Sequence, residues 1–577
     1  MLPSALNVPQ SNPSQTLEFA PVPAEDDQPP PPAGNTASLG LGSSSNAPGD
    51  ALGTDGGPPP PLPPPPLPDG EGATPVTKRC VGNPPRQSED PMAPPCVAHF
   101  EGDNFGATYR GVTGEEIRVL FYLHGDRCEG ATARGFECPV KGVVHDLDAP
   151  PQNDDHSSIR FLRAYLNYFN ARYQLYDRRA HGFVYYDTGS TEAPATAESR
   201  RADAAELSNT VQPFAVLPYA ITFNVEFLEA MAARDHLVFG TFGARPADFY
   251  RTFPGRVWGN QGTIERQASL FSSYVCTKVV PHPASFSGNA GENGQPRKLG
   301  LLKTTDASKA SFLYFAQVAQ PQIEDCGGDL SIQGTYPQAS NTFDAANREP
   351  ATRNIANFAA QGVTTIVRMQ GLETAHSNAA GVIGYEPEWV LAGDRQTEGW
   401  NPMQFQDRDV WSRHAWVVSD VPLTGPSDEA MCYRSLEESE PGMPDQDKSW
   451  VCSSRTYYQD LQLLFTAIQT AGPRLTPDTI DRGLHAIPPV RSTDPAVPAC
   501  FYDPGDYTCI KDAAVSWWDF EAQRGSAAQS DGGRGCWRMG EGGQRYLPGG
   551  WPEGDVLTMQ SETDPCNLFF GSASGGS

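Results

Sequence analysis

The chain has no apolar run approaching the ~20 residues that a membrane-spanning helix needs, so no such helix is expected. No CxxC occurs among its 12 cysteines, which removes the spacing of zinc ribbons, iron–sulfur sites and thioredoxin-like centres. A P-loop, an HExxH helix and a GxSxG nucleophile elbow are also missing. Positive charge is scarce, with 42 Lys and Arg against 69 Asp and Glu, a net charge of −27. Such a surface repels a phosphate backbone and an anionic membrane face, so no nucleic-acid partner is expected. The opening MLPSALNVPQ has neither a basic n-region nor an apolar h-region and is not read as a signal peptide.

What the chain does have begins with an even number of cysteines. Taken as neighbours they form six pairs: Cys80–Cys96, Cys128–Cys138, Cys276–Cys326, Cys432–Cys452, Cys500–Cys509 and Cys536–Cys566. Disulfides persist in oxidising surroundings, so an extracytoplasmic location, secreted or on the cell surface, is expected. Residues 1–78 are a different material, carrying PPPP and PPPPLPPPPLP among Gly, Ser, Asn and Asp. Their composition cannot bury enough apolar surface to offset ordering, which predicts a disordered stalk with polyproline II character, anchored to or near the cell envelope.

From about residue 113 the pattern alternates between strands and helices. The run IRVLFYL (117–123) reads as a strand buried on both faces. Phe161, Leu162, Tyr165, Leu166 and Phe169 follow at helical spacing, then the strand GFVYYD (182–187), a helix near 199–208 and the strand FAVLP (214–218). The helix 223–235 leads into HLVFG (236–240). A second series runs from RKLGLLKTT (297–305) to EWVLAG (388–393). Such βαβ repeats require parallel sheets with right-handed crossovers. In TPDTIDRGLHAIP (476–488), Thr476 is placed to cap a helix and Pro477 to sit in its first turn.

Specific phrases resemble a family. GATYRGVTGEEIRVLFY (106–122), GVTTIVRMQG (362–371), GYEPEWVLAG (384–393) and YYQDLQLLFTAIQTAGPRLTPDTIDRGL (457–484) are similar, in order, to blocks of the leucine/isoleucine/valine-binding proteins of the actinobacterial, periplasmic-binding type I kind. The resemblance, over residues 97–555, implies an α/β fold of two doubly wound parallel-sheet lobes joined by three hinge crossovers. It divides the chain into a lead-in (79–112), an N-lobe (113–250), a C-lobe (251–419), a return to the N-lobe (420–505) and a closing C-lobe segment with a flexible tail (506–577). The implied function is capture of a small solute between the lobes, without catalysis or cofactor, for uptake with an ABC-type permease or for sensing.

In open α/β sheets ligands bind beyond the carboxyl ends of the strands. The candidates there are His124, Asp187, Tyr219, Ala220, Thr241 and Phe242 in the first lobe. In the second lobe they are Thr304, Thr305, Asp306, Gln370 and Asp394. Structural roles compete with this: Thr304, Thr305 and Asp306 can cap the next helix, Asp187 can be a turn residue, and Trp389 reads as core. The acidic loop 145–156 offers oxygens to calcium but lacks EF-hand spacing, which favours a solvated loop. The turn Pro218-Tyr219-Ala220 carries no Ser or Thr for an α-carboxylate and loses one backbone donor to proline, so a branched-chain amino acid does not follow as the ligand. Two rivals remain, a scaffold that has lost its ligand and a secreted hydrolase using an acidic pair.

Overall fold

The computed structural model describes residues 80–83, 85–125, 140–151, 155–190, 193, 195–219, 225–241, 244–338, 345–371, 373–393, 405–421, 430–454, 456–490, 497–523, 534–541 and 544–555. The stalk expected at 1–78, Ala220, Phe242, Asp394, Cys128, Cys138 and Cys566 lie outside them.

The first sheet is built around β1 (Glu116–Leu123), whose residues from Val119 onward are all buried. Helices cover both of its faces, which is why the run is apolar at consecutive positions instead of alternating. β3 (Arg179–Tyr186) and β4 (Ala215–Tyr219) flank β1 in parallel, and β5 (Leu237–Phe239) and β6 (Val257–Trp258) extend the β4 side. A short strand β2 (Val144–Asp146) closes the other edge antiparallel to β3, giving the order β2-β3-β1-β4-β5-β6. Helix α1 (Ser157–Arg172) buries Phe161, Leu162, Tyr165, Leu166 and Phe169, the stripe that its sequence spacing predicts. Helices α2 (Ala197–Thr210) and α3 (Val225–Ala232) follow β3 and β4, and α4 (Ala247–Thr252) precedes β6.

The second sheet runs β13-β12-β11-β10-β9-β7-β8. Its strands are β7 (Leu299–Thr304), β8 (Ile332–Tyr336), β9 (Thr365–Arg368), β10 (Glu388–Ala392), β11 (Ala415–Ser419), β12 (Ala514–Gln523) and β13 (Arg534–Met539). The first five are parallel, whereas β12 and β13 pair antiparallel at the edge. Around it lie α5 (Ile264–Tyr274), α6 (Ala310–Asp325), α7 (Ala345–Gln361), α8 (Ala375–Ile383) and α9 (Arg408–Trp411). Helix α7 stops at Gly362, whose φ of 66° is a conformation that glycine adopts without a Cβ penalty.

Four further helices belong to the first core: α10 (Met431–Ser439), α11 (Asp445–Ser454), α12 (Thr456–Ala471) and α13 (Pro477–His485). Thr476 and Thr479 close a reciprocal capping box on α13, with Pro477 at its first position. Phe465 of α12 stacks on Phe169 of α1 with ring centroids 5.1 Å apart, so the returning helices complete the first core.

The chain therefore crosses between the cores three times: after Trp258, after Ser419, and between Ile510 and Ala513. The first and third crossings run side by side, with Gly259 N–H donating to Tyr507 O (2.9 Å) and Cys509 N–H to Gly259 O (3.0 Å). The second is tied to both. Asp420 Oδ2 accepts from Gln267 Nε2 (3.0 Å) and Gly262 N–H (3.3 Å), and Arg545 reaches Asp420 O (2.8 Å) and Asp512 Oδ1 (2.9 Å).

Disulfides join Cys80–Cys96, Cys276–Cys326, Cys432–Cys452 and Cys500–Cys509. Cys536 is also disulfide-bonded.

Candidate ligand-binding site

Both sheets reverse their winding direction at one place. In the first, the chain leaves β1 for β3 on one side and returns as β4 on the other. In the second, β7 is followed by β8 and then by β9 on its opposite side. The carboxyl ends of β1 and β4, and of β7 and β9, are thus the crevices that this architecture opens to a ligand.

A polar group is built where β1 and β3 end, on the side of β1 away from β4. Asp187, 1% exposed, accepts three hydrogen bonds: from His124 Nδ1 (2.8 Å), Gly125 N–H (2.9 Å) and Gly189 N–H (3.0 Å). Burial alone would raise its pKa, but these donors prevail and hold the carboxyl below its ordinary value. Gly125 has to be glycine here, because a Cβ would stand 2.2 Å from Asp187 O. A carboxylate only accepts, so His124 Nδ1 carries a proton toward Asp187 and Nε2 is the ring nitrogen turned to other partners. The His124 side chain is 12% exposed, and Nε2 makes no hydrogen bond to a described residue.

Beside this pair, Tyr122 and Tyr185 both donate to Asp203 of α2, at 2.7 and 2.9 Å. Tyr122 also stacks on Phe227 with centroids 3.7 Å apart. Burial, followed by the neighbouring carboxylates, raises the Asp203 pKa despite the two phenol hydrogen bonds. Sequence reasoning passes over this group because Tyr122 sits inside an apolar run, where its polar atom leaves no pattern. The YY of GFVYYD was the available signal.

The structure brings His124 and Asp187 together and places Tyr219 opposite Leu123 in register. Thr241 follows β5 and shares a hydrogen bond with Tyr250 OH (3.0 Å). In the second lobe Thr304, Thr305, Asp306 and Gln370 all hydrogen-bond within the protein. The Thr304 hydroxyl donates to Tyr336 O (3.3 Å) and accepts from Asp306 N–H (3.0 Å). Thr305 also donates to Tyr336 O (3.2 Å), and Asp306 Oδ1 accepts from Ser308 N–H (3.0 Å). None of the three caps α6, whose first turn is preceded by Lys309. Gln370, 3% exposed, donates to Gln267 Oε1 (2.9 Å) and Gly393 O (3.0 Å), linking β9 to the helix that follows the first crossing. Trp389 is fully buried against Trp411, as a core residue.

The crossings themselves carry charge. Arg266 meets Asp506 at 2.9 Å, and Lys511 pairs with the same carboxylate. Burial opposes both charges. For Asp506 the cations and the Thr508 hydroxyl prevail and lower its pKa; for Lys511 burial prevails and lowers the ammonium's. In the acidic loop, Asp146 and Asp148 face His181 and Arg179, while Asp155 faces Arg163. Among the described residues no three His, Cys, Asp or Glu side chains converge to hold a metal ion.

No family model matches the chain, and no curated protein matches it. Solved structures do. An amino acid ABC transporter substrate-binding protein from Pseudomonas fluorescens Pf-5 is similar at 10% identity and a TM-score of 0.47, over 76% of this chain and 99% of that one. An ABC transporter substrate-binding protein from Desulfitobacterium hafniense in complex with Leu is similar at 15% identity and a TM-score of 0.43, over 74% of this chain and 100% of that one. A solute-binding protein of an ABC transporter from Rhodopseudomonas palustris BisB5, in complex with 3,4-dihydroxybenzoic acid, is similar at 8% identity and a TM-score of 0.44, over 75% and 98%.

Proposed function

We propose that this chain is an extracytoplasmic solute-binding protein that holds a small molecule between its two lobes by hinge closure, for ABC-type uptake or sensing. The observation that carries the reading is the joint placement of two switch-point crevices and three hydrogen-bonded crossings. Crossings tied to one another let the lobes rotate about a defined axis, so a ligand touching both crevices shifts an open–closed equilibrium.

At the carboxyl end of β1, His124 Nε2 hydrogen-bonds the solute. Thr241 of the first lobe and Thr305 of the second are offered as further contacts, and Tyr219, Ala220, Phe242 and Asp394 stay candidates on their sequence positions alone. The second-lobe turn is weakly equipped for a zwitterion, since Thr304 and Gln370 are committed internally.

The same internal commitment favours a second reading, a scaffold that keeps the fold without a ligand. A thermal-shift panel of amino acids, aromatic carboxylates and sugars separates the two. The binding reading expects a shift with one class that His124→Ala removes without unfolding the protein. No shift with any class, joined by discrete self-assembly, supports the scaffold.

A further inference from the structure

A cavity of about 510 Å³ lies in the first lobe, lined by residues of the lead-in segment, of helix α12 and of 487–490 and 498–510. Close packing leaves few voids larger than a water molecule in a folded core, and small-molecule sites occupy roughly 300–1,000 Å³. Its lining is mostly apolar, including Met92, Leu463, Ile487, Val490, Phe501 and Ile510. Pro85, Pro94, Pro95, Pro488, Pro489 and Pro498 also face it. Proline has no N–H and a fixed φ, so these walls are stiff and offer few backbone donors. Disulfides Cys80–Cys96 and Cys500–Cys509 brace the two segments that close it.

Against that apolar wall the charged group is conspicuous. Arg86 is the one charged residue among the described lining residues. One of its guanidinium nitrogens donates to Ala93 O (2.7 Å), which orients it, while nearby Asp90 offsets part of the desolvation that otherwise lowers its pKa.

We infer that this cavity is a second binding site, separate from the cleft, for an elongated apolar molecule with a carboxylate head of the fatty-acid class. The chain lies in the apolar wall and the head meets Arg86. The inference does not rest on the cleft binding a solute.

The test titrates the full chain with dodecanoate and with dodecanol, read by displacement of a fluorescent polyene fatty acid. Saturable one-to-one binding of dodecanoate is expected. Arg86→Gln weakens it about tenfold, as loss of a charge-assisted hydrogen bond does, while leaving dodecanol unchanged. Thr466→Phe, which fills the cavity from α12, removes both. A diazirine-bearing dodecanoate, needing no variant, labels peptides containing residues 459–466 or 498–510. Lack of saturable binding, undiminished binding in a folded Thr466→Phe protein, or labelling confined to other peptides overturns the site. Equal weakening of acid and alcohol by Arg86→Gln overturns the head assignment.

Discussion

Replacing Asp187 separates what the residue does for stability from what it does for the crevice. Asp187→Ala removes an acceptor shared by three donors: His124 Nδ1, Gly125 N–H and Gly189 N–H. A hydrogen bond to a charged group contributes about 1.5–3 kcal/mol, but His124 is partly exposed and rehydrates, and the desolvation of the carboxylate is recovered. The expected net loss is about 2–4 kcal/mol. For lobes of this size that is roughly 5–15 °C in melting temperature. Asp187→Asn keeps an oxygen for the two glycine N–H groups and presents an amide N–H to His124. It is expected to cost only about 1 kcal/mol while moving the imidazole proton to Nε2.

The pH dependence has a definite sign. Because the folded pKa lies below the unfolded value, the carboxylate's contribution is present above about pH 4 and is lost as pH falls through the folded pKa. Urea unfolding from pH 3 to 7 measures this, and nitrogen-15 spectra of His124 report the tautomer. A loss under 0.5 kcal/mol in Asp187→Ala, or an unchanged tautomer in Asp187→Asn, refutes the reasoning.

Other perturbations have equally definite outcomes. Glu388 is fully buried, pairing Arg297 at 2.7 Å and accepting from Ser285 and Phe286 N–H, each at 2.7 Å. Breaking a buried pair leaves an uncompensated charge, so Glu388→Ala is expected to destabilise by about 3–5 kcal/mol in urea unfolding. Arg297→Met with Glu388→Met should recover most of that loss. His181 is held between Glu116 (2.9 Å) and Asp146 (2.7 Å). Burial lowers its pKa, but the carboxylates outweigh it and the net direction is upward. Its contribution is therefore full below about pH 6.5 and lost as pH rises through the folded pKa, a slope that His181→Gln should flatten in denaturant titrations. Gly240 has φ of 80°, and a Cβ there would stand 2.1 Å from Asp460 Oδ2 of α12. Gly240→Ala should lower stability by about 2 kcal/mol or more, measured by thermal unfolding.

The parallel strands were legible because burial on both faces writes a continuous apolar run, as in IRVLFYL, and helices announce themselves by periodicity and caps, as at Thr476 and Pro477. The antiparallel edges were not. β2 has three residues, and nothing in the run of β12 encodes which way its neighbour points. The site was half legible. His124 stood out at a strand end, but its partner was known only as a turn acid until the fold set β3 beside β1. Thr304, Thr305 and Asp306 illustrate the converse: hydroxyls and acids at strand ends satisfy nearby backbone as readily as a ligand, and here they do so. The Arg86 cavity could not be read at all, since it exists only where residues 85–95 meet 487–490 and 498–510.

The central claim is that the crevices hold a small solute. Native mass spectrometry of the gently purified full chain tests it directly, by comparison with the denatured, non-reduced mass. The account predicts one additional small-molecule mass that disappears on denaturation and is not retained by His124→Ala. A native mass equal to the denatured mass, together with no thermal shift across the solute panel, would contradict it.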